Sequence, residues 1–174
     1  MLYTTIESPV GPLLLAGYDQ TLYRLSFLSG RKSASIPAGW LRVDDAFGEV
    51  RRQLQEYFDG ARREFDVPLA LDGNQFELSV WAALCEIPYG ATVSYGEIAQ
   101  RIGLPSAARA VGVANARNPI AVIVPCHRVI GANGSLTGYG GGLERKRLLL
   151  DLEAGVLPLG GMVRSDAALT GHLA

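Results

Sequence analysis

Residues 94–117, SYGEIAQRIGLPSAARAVGVANAR, hold two short helical patterns separated by a brief turn. Ser94 and Glu97 stand at the spacing of a capping box, in which each side chain satisfies an orphan backbone amide of the other. That box opens a helix running to Gly103. Leu104-Pro105-Ser106 makes the turn, and a second helix follows from Ala107 to about Ala116. Helix, short turn, helix is the pattern of DNA-binding helix-turn-helix units, and also of helical hairpins that never meet DNA. The second helix is thin: Ala107, Ala108, Ala110, Gly112, Ala114 and Ala116 leave Arg109 and Arg117 projecting. Small residues suit a close approach to a nucleic-acid groove and equally a close approach to another helix, and composition does not choose between the two.

Upstream, Asn74 can cap a helix with Phe76, Val80 and Leu84 on one face, ended by Pro88-Tyr89-Gly90. The first 73 residues read differently. Leu2–Ile6, Leu13–Ala16 and Leu22–Phe27 form a β-meander, with turns at Ser8–Pro12 and Asp19-Gln20. Tyr23, Leu25 and Phe27 fall on one face of the third strand. After a polar loop around Ser29–Gly39, a helix is expected from about Asp45 to Asp59, capped by Asp44 or Asp45 and ended by Gly60. Phe65, Val67, Leu69 and Leu71 alternate as a further strand. The expected organisation is an α/β unit over 1–73, a mostly helical unit over 74–155, and a tail over 156–174, partly disordered and without an assigned role.

The chain has 174 residues and is 48% hydrophobic, enough for a real core. No run approaches the ~20 apolar residues of a membrane span. The opening MLYTTIESPVGP carries an acid and prolines where a secretory leader needs positive charge and then an apolar run. A soluble cytoplasmic protein, with no membrane partner, is expected. Two cysteines, Cys85 and Cys126, and two histidines, His127 and His172, make a structural metal improbable. Net charge is −1, but residues 87–147 hold seven basic and two acidic side chains, a local +5, against eight basic and ten acidic over 1–73. Local field steers a polyanion more than total charge does.

Ile120–Val124 is an apolar run that delivers the chain to Pro125-Cys126-His127-Arg128-Val129. A cysteine beside His and Arg sits in an electropositive setting, expected to lower its proton affinity and raise the nucleophilic thiolate. Neighbours on an extended chain point opposite ways, so His127 needs a bridging water or a turn to reach the sulfur. Cys85 reads as an inert buried thiol. Beyond Cys126, Gly131–Gly142 is glycine-rich, with a tight turn at Asn133-Gly134. A phosphate-cradling loop is excluded by the missing Lys-Ser/Thr ending. A helix runs from Leu143 to about Glu153. An anion at its C-terminal end opposes the helix dipole and calls for a compensating partner, for which His127 is a candidate.

Together these residues resemble the O6-alkylguanine-DNA alkyltransferases, the methylated-DNA–protein-cysteine methyltransferases of the bacterial Ogt type. The resemblance is carried by Val93–Gly96, Ala108–Gly112, Asn118-Pro119, Ile123–Gly131 and Gly138–Leu143, with Pro-Cys-His-Arg-Val at its core. It implies an α+β fold, with a small antiparallel sheet and helix of ribonuclease H-like type followed by a mostly helical domain with a winged helix-turn-helix. It implies direct-reversal DNA repair without a cofactor or metal. The alkyl group of O6-alkylguanine, and less so of O4-alkylthymine, passes irreversibly to Cys126, one per molecule, after base flipping.

The resemblance further implies that His127 deprotonates Cys126 through a water, that Glu153 orients His127, and that Asn118 braces the turn beneath the site. Tyr95 donates a proton to N3 of the departing guanine and crowds its phosphate. Arg109 fills the gap left by the flipped base, with its helix in the minor groove. Ser94 and the amides of Ala107 and Ala108 hold phosphates. The carbonyls of Cys126 and Val129 read the guanine amino group, and Tyr139 walls the pocket. Gly140 replaces a serine of some relatives, which leaves a backbone amide aimed at O6 and a roomier pocket. The zinc ligands of animal relatives are absent. A monomer that can cluster on double-stranded DNA is expected.

Three other readings compete. A non-reacting lesion binder lacks the acceptor cysteine, which Cys126 supplies. A transcription regulator needs side chains to read the major groove, and the thin helix offers few. A cysteine hydrolase needs turnover.

Overall fold

The computed structural model describes residues 1–30 and 32–156; the expected tail, and His172 with it, falls outside the described residues except for Val156. Strands β1 (Leu2–Ile6), β2 (Leu13–Tyr18), β3 (Thr21–Phe27) and β4 (Leu41–Arg42) form one sheet in the order β3-β2-β1-β4. β1 and β2 pair antiparallel with Tyr3 opposite Ala16, as do β2 and β3 with Leu15 opposite Leu25. The short β4 adds to β1 in parallel, so the sheet is mixed at that edge. A register shift at Ala16/Gly17 lets both Leu22 and Leu25 face the core while Tyr23 is only half-buried. Gly17 is required there, because a Cβ would lie 2.0 Å from the Thr21 carbonyl oxygen.

Helix α1 spans Gly48–Phe58, three residues later than expected at its start. Phe47 is fully buried and takes a left-handed conformation (φ 57°), which sets the first turn beyond the reach of both candidate caps. Asp44 pairs instead with Arg42 at 2.7 Å. The exit is as expected, with Gly60 at φ +81°. Residues 65–71 do not form the expected strand. Their apolar side chains do pack on the core, but Pro68 has no N–H to donate, and only Leu69 bridges, in parallel, to Leu22.

In the second half, α2 (Gln75–Leu84) starts at Asn74, whose side chain accepts from the Glu77 amide at 2.8 Å while Glu77 accepts from the Asn74 amide. It ends at Cys85, before the Pro88-Tyr89-Gly90 stop. β5 (Val93–Ser94) leads into α3 (Tyr95–Arg101) through the expected Ser94–Glu97 capping box. α4 (Ala108–Ala116) packs on α2 and α3 through Val111 and Ala114, and Trp81 donates its indole N–H to the Ala114 carbonyl at 2.9 Å. Its opposite side, with Arg109, Ala110 and Val113, is exposed. β6 (Val129–Ile130) pairs in parallel with β5, and α5 (Leu143–Glu153) closes the described chain. Among the described residues no helix is long and apolar enough to cross a membrane.

Candidate active site

The apolar run Ile120–Val124 is buried, as its composition dictates, but it turns rather than extends. Val122 is left-handed (φ 71°), a conformation that costs a β-branched residue of order 1–3 kcal/mol and needs bracing. Asn118 supplies the brace. Its Nδ2 donates to the Val124 carbonyl at 2.8 Å, and its Oδ1 accepts from the Ile120 amide at 3.0 Å. The turn is also tied to the sheet, since the Ala121 amide donates to the Leu25 carbonyl.

Cys126, His127 and Arg128 form a single 3-10 turn, not an extended segment. Cys126 is 5% exposed and lines a cavity of about 160 Å³ shared with Leu25, Phe27, Asn118, Tyr139 and Gly140. A wider groove of about 1060 Å³ shares Gly138, Tyr139, Gly140 and Gly141 with this cavity and does not include Cys126.

The turn sends His127 and Arg128 to the same carboxylate. His127 Nε2 lies 2.8 Å from Glu153 Oε2, and Arg128 grips both oxygens, Nε to Oε1 at 2.8 Å and Nη2 to Oε2 at 2.9 Å. Tyr57, from α1, donates its hydroxyl to Oε2 at 2.6 Å, and the Gly90 amide donates to Oε1 at 3.4 Å. Against burial, which opposes ionisation, the donors from His127 and Arg128 hold the Glu153 carboxyl well below the usual carboxylate range. An ionised carboxylate only accepts, so His127 Nε2 carries the proton that faces it, and Nδ1 is left as the basic lone pair. That Nδ1 is buried and has no protein hydrogen-bond partner.

The electropositive setting expected for Cys126 is corrected. Burial pushes its thiol up, and the opposing influences come from Asn118, Lys146 and Tyr139, not from His127 or Arg128. Burial likewise pulls His127 down, outweighing Glu153, so its imidazole is neutral at physiological pH. Arg128 turns away to Glu153 and to the Ile87 carbonyl at 2.6 Å. Cys85 is exposed at the end of α2, which corrects the expectation of a buried thiol. The local +5 also shrinks at the surface. Lys146 is fully buried, Arg128 is buried and Arg145 is half-buried, which leaves Arg101, Arg109, Arg117 and Arg147 facing outward.

Of the remaining expected site residues, Tyr139 and Gly140 line the cavity with Cys126, whereas Tyr95, Val129 and those on the helix-turn-helix are not in its lining. Tyr95, at the start of α3, donates its hydroxyl to the Thr137 carbonyl at 3.3 Å. Tyr139 is half-buried as a residue, but its hydroxyl oxygen is enclosed without an oxygen or nitrogen partner, near enough to the sulfur to favour its thiolate. The two carbonyls named for the guanine amino group each already accept one side-chain bond: Cys126 O from Asn115 at 3.3 Å, Val129 O from Lys146 at 2.6 Å. Each carbonyl has a second lone pair. Arg109 and the uncapped start of α4 at Ala107 and Ala108 lie with Ser94 on the helix-turn-helix. Sequence reasoning missed Tyr57, Arg128 as a partner of Glu153, and Lys146. Glu153 alone carried a signal, its unfavourable place at a helix end.

Comparison with known proteins matches this arrangement on both halves of the chain. The family model "6-O-methylguanine DNA methyltransferase, ribonuclease-like domain" matches residues 1–71, and "6-O-methylguanine DNA methyltransferase, DNA binding domain" matches residues 75–155. A methylated-DNA–protein-cysteine methyltransferase of Methanosarcina acetivorans is 56% identical over 153 residues, covering 88% of this chain and 98% of that protein. The namesake from Mycobacterium tuberculosis is 56% identical over 156 residues, covering 90% and 94%. The crystal structure of Mycobacterium tuberculosis OGT in complex with DNA superposes with a TM-score of 0.86 at 54% identity, covering 91% and 96%. The α+β fold, the helix-turn-helix and the Pro-Cys-His-Arg-Val core therefore have one reading in common: the chain belongs to the methylated-DNA–protein-cysteine methyltransferases.

Proposed function

We propose that this protein repairs O6-alkylguanine, and less readily O4-alkylthymine, in double-stranded DNA by moving the alkyl group onto Cys126, once per molecule. The observation that carries the reading is a cysteine on the wall of a base-sized cavity, next in the chain to a neutral imidazole whose Nδ1 lone pair is free because Glu153 holds the other nitrogen. His127 takes the thiol proton through a water, and the thiolate attacks the alkyl carbon in line with the departing guanine oxygen. The C–O bond breaks as the C–S bond forms, and Tyr95 protonates the guanine at N3. A thioether has no leaving group that water can displace, so the acceptor is consumed.

Chemistry at O6 needs the base outside the stack. Arg109 on the exposed side of α4 is suited to fill the gap it leaves, and the small exposed residues of that helix suit a minor-groove approach. Ser94 and the amides at Ala107 and Ala108 hold phosphates; Val129, Tyr139 and Gly140 frame the base. The protein acts as a cytoplasmic monomer that can cluster along DNA, organised as 1–73, 74–155 and a tail.

Mixing equimolar protein with a duplex carrying one O6-methylguanine should leave Cys126, and not Cys85, heavier by one methyl group on peptide mass spectrometry. Cys126→Ser should abolish transfer. Repeated turnover, or label on Cys85, overturns the reading.

A further inference from the structure

Lys146 is a charged group with no part in the proton and alkyl transfers of the repair reaction. It lies in the first half of α5 and is fully buried. Its ammonium donates to two backbone carbonyls, Val129 at 2.6 Å and Thr137 at 2.8 Å, with Nζ 6.0 Å from the centre of the Tyr139 ring. Among the described residues no carboxylate is within ion-pair distance of it. A buried ammonium without an anion is expensive to keep protonated, and such groups usually pair or lose their charge. Burial indeed pushes Lys146 down to about 8, and the one charge that acts to hold its proton is Cys126. The ammonium lies beside the site, since Tyr139, whose ring it approaches, lines the cavity with Cys126, and Val129, whose carbonyl it binds, is three residues beyond Cys126. Lys146 in turn pulls the Cys126 thiol toward ionisation.

We propose that Lys146 is the counter-ion of the Cys126 thiolate: its ammonium, aimed by the Val129 and Thr137 carbonyls, supplies the positive charge that keeps the sulfur nucleophilic inside a buried site. This rests on Cys126 being the acceptor. It assigns the charge to Lys146 because every other cation nearby is engaged. Arg128 is bound by Glu153, Arg145 is turned to the Val10, Ser29 and Gly141 carbonyls, and His127, neutral until it takes the thiol proton, is then paired with Glu153 through Nε2. The other titratable groups around the ammonium are Tyr139, whose hydroxyl faces the sulfur, and Tyr95, which shares the Thr137 carbonyl. The thiol proton leaves toward His127, and Lys146 keeps its own proton throughout. It touches no reacting atom in this scheme and acts as a positioning residue through its field.

The test reads the thiol directly, so that it is separable from DNA repair. In a Cys85→Ser background, thiolate absorbance at 240 nm is followed against pH for the parent, Lys146→Met and Lys146→Gln. Gln keeps an N–H donor for the carbonyls and removes the charge. Both variants should titrate at least one pH unit higher than the parent, a tenfold loss of thiolate at neutral pH. Single-turnover repair should be at least tenfold slower at pH 7, with the gap closing as pH rises. An unmoved titration in a folded Lys146→Gln protein overturns the proposal and leaves Lys146 as a tie between loops. If neither variant folds, the Lys146 side chain can be titrated by NMR in the parent and in Cys126→Ser. Loss of the sulfur should lower the lysine midpoint, and an unchanged midpoint refutes the pairing. A normal titration shift without DNA repair in the parent would instead refute the acceptor assignment alone.

Discussion

Glu153 concentrates the electrostatics of the site. Five donors from three parts of the chain converge on one buried carboxylate, including Tyr57, 96 residues away. Part of this was legible in the sequence, because an acid at a helix C-terminus demands a partner. Arg128 was not, since alternation along an extended segment aimed it wrongly and only the 3-10 turn brings it beside His127. Lys146 was hidden for a related reason: nothing in Arg145-Lys146-Arg147 tells which cation turns inward. The network has a pH signature. Glu153 is held below the usual carboxylate range and His127 below its usual imidazole value, so at acid pH the unfolded chain binds more protons than the folded one. Stability is therefore present above about pH 6.5 and falls as pH drops, first as unfolded His127 takes a proton and more steeply below about pH 4.5 as unfolded Glu153 does. Thermal unfolding from pH 8 to 4 should show a steadily falling midpoint, and Glu153→Gln should flatten the acid limb. At Gly140 the nearest atom to an added Cβ is the Ala116 carbonyl oxygen at 3.9 Å, so a serine fits without strain. Gly140→Ser should leave the repair rate for O6-methylguanine within about threefold and slow O6-benzylguanine more, measured as the ratio of the two single-turnover rates.

At the scale of elements, what the sequence made plain were the helices that announce their own ends. Asn74-x-x-Glu77 and Ser94-x-x-Glu97 both form the reciprocal bonds their spacing demands, and α3 begins on the residue after its cap. Elements that depend on partners were less legible. The alternation at 65–71 does direct apolar side chains inward, yet Pro68 interrupts the ladder that would make a strand. The start of α1 is set by the burial of Phe47, a tertiary demand that overrides the nearby aspartates. In α4 the small residues permit close packing on α2 and α3 on one side and leave the other side nearly bare around Arg109. This separation predicts a separable defect. Arg109→Ala removes an exposed side chain that does not line the Cys126 cavity, so it should slow duplex repair by tenfold or more. Reaction with free O6-benzylguanine base, which needs no flipping, should be unchanged. Equal losses on both substrates would remove Arg109 from the DNA-handling role.

At the scale of the molecule, the two halves are joined by polar ties that no local pattern could foretell. Leu25 on β3 receives the Ala121 amide, the Tyr57 hydroxyl on α1 reaches Glu153 on α5, and Arg145 makes the most extensive tie. Its guanidinium donates to the Val10 carbonyl at 2.6 Å, to Ser29 at 2.9 Å and to Gly141 at 2.8 Å, and lies 4.9 Å from the centre of the Phe27 ring. Gly11 and Gly30, both at φ +100°, stand where a side chain would press on that guanidinium. The same Phe27 packs edge-on to Tyr139 with ring centroids 6.1 Å apart, so the N-terminal sheet holds the cavity wall from behind. Removing Arg145 unlinks three carbonyls in two halves of the chain at once. Charge-assisted bonds contribute about 1.5–3 kcal/mol each and are not additive, so Arg145→Ala should cost roughly 3 kcal/mol and lower Tm by roughly 10 °C for a chain of this size. Because Tyr139 and Gly141 lose their backing, and the Tyr139 hydroxyl helps to hold the Cys126 thiolate, the thiol titration should move up as well. Repair of duplex should fall. A variant with the parent's Tm and repair rate would show that the N-terminal half does not hold the wall of the site.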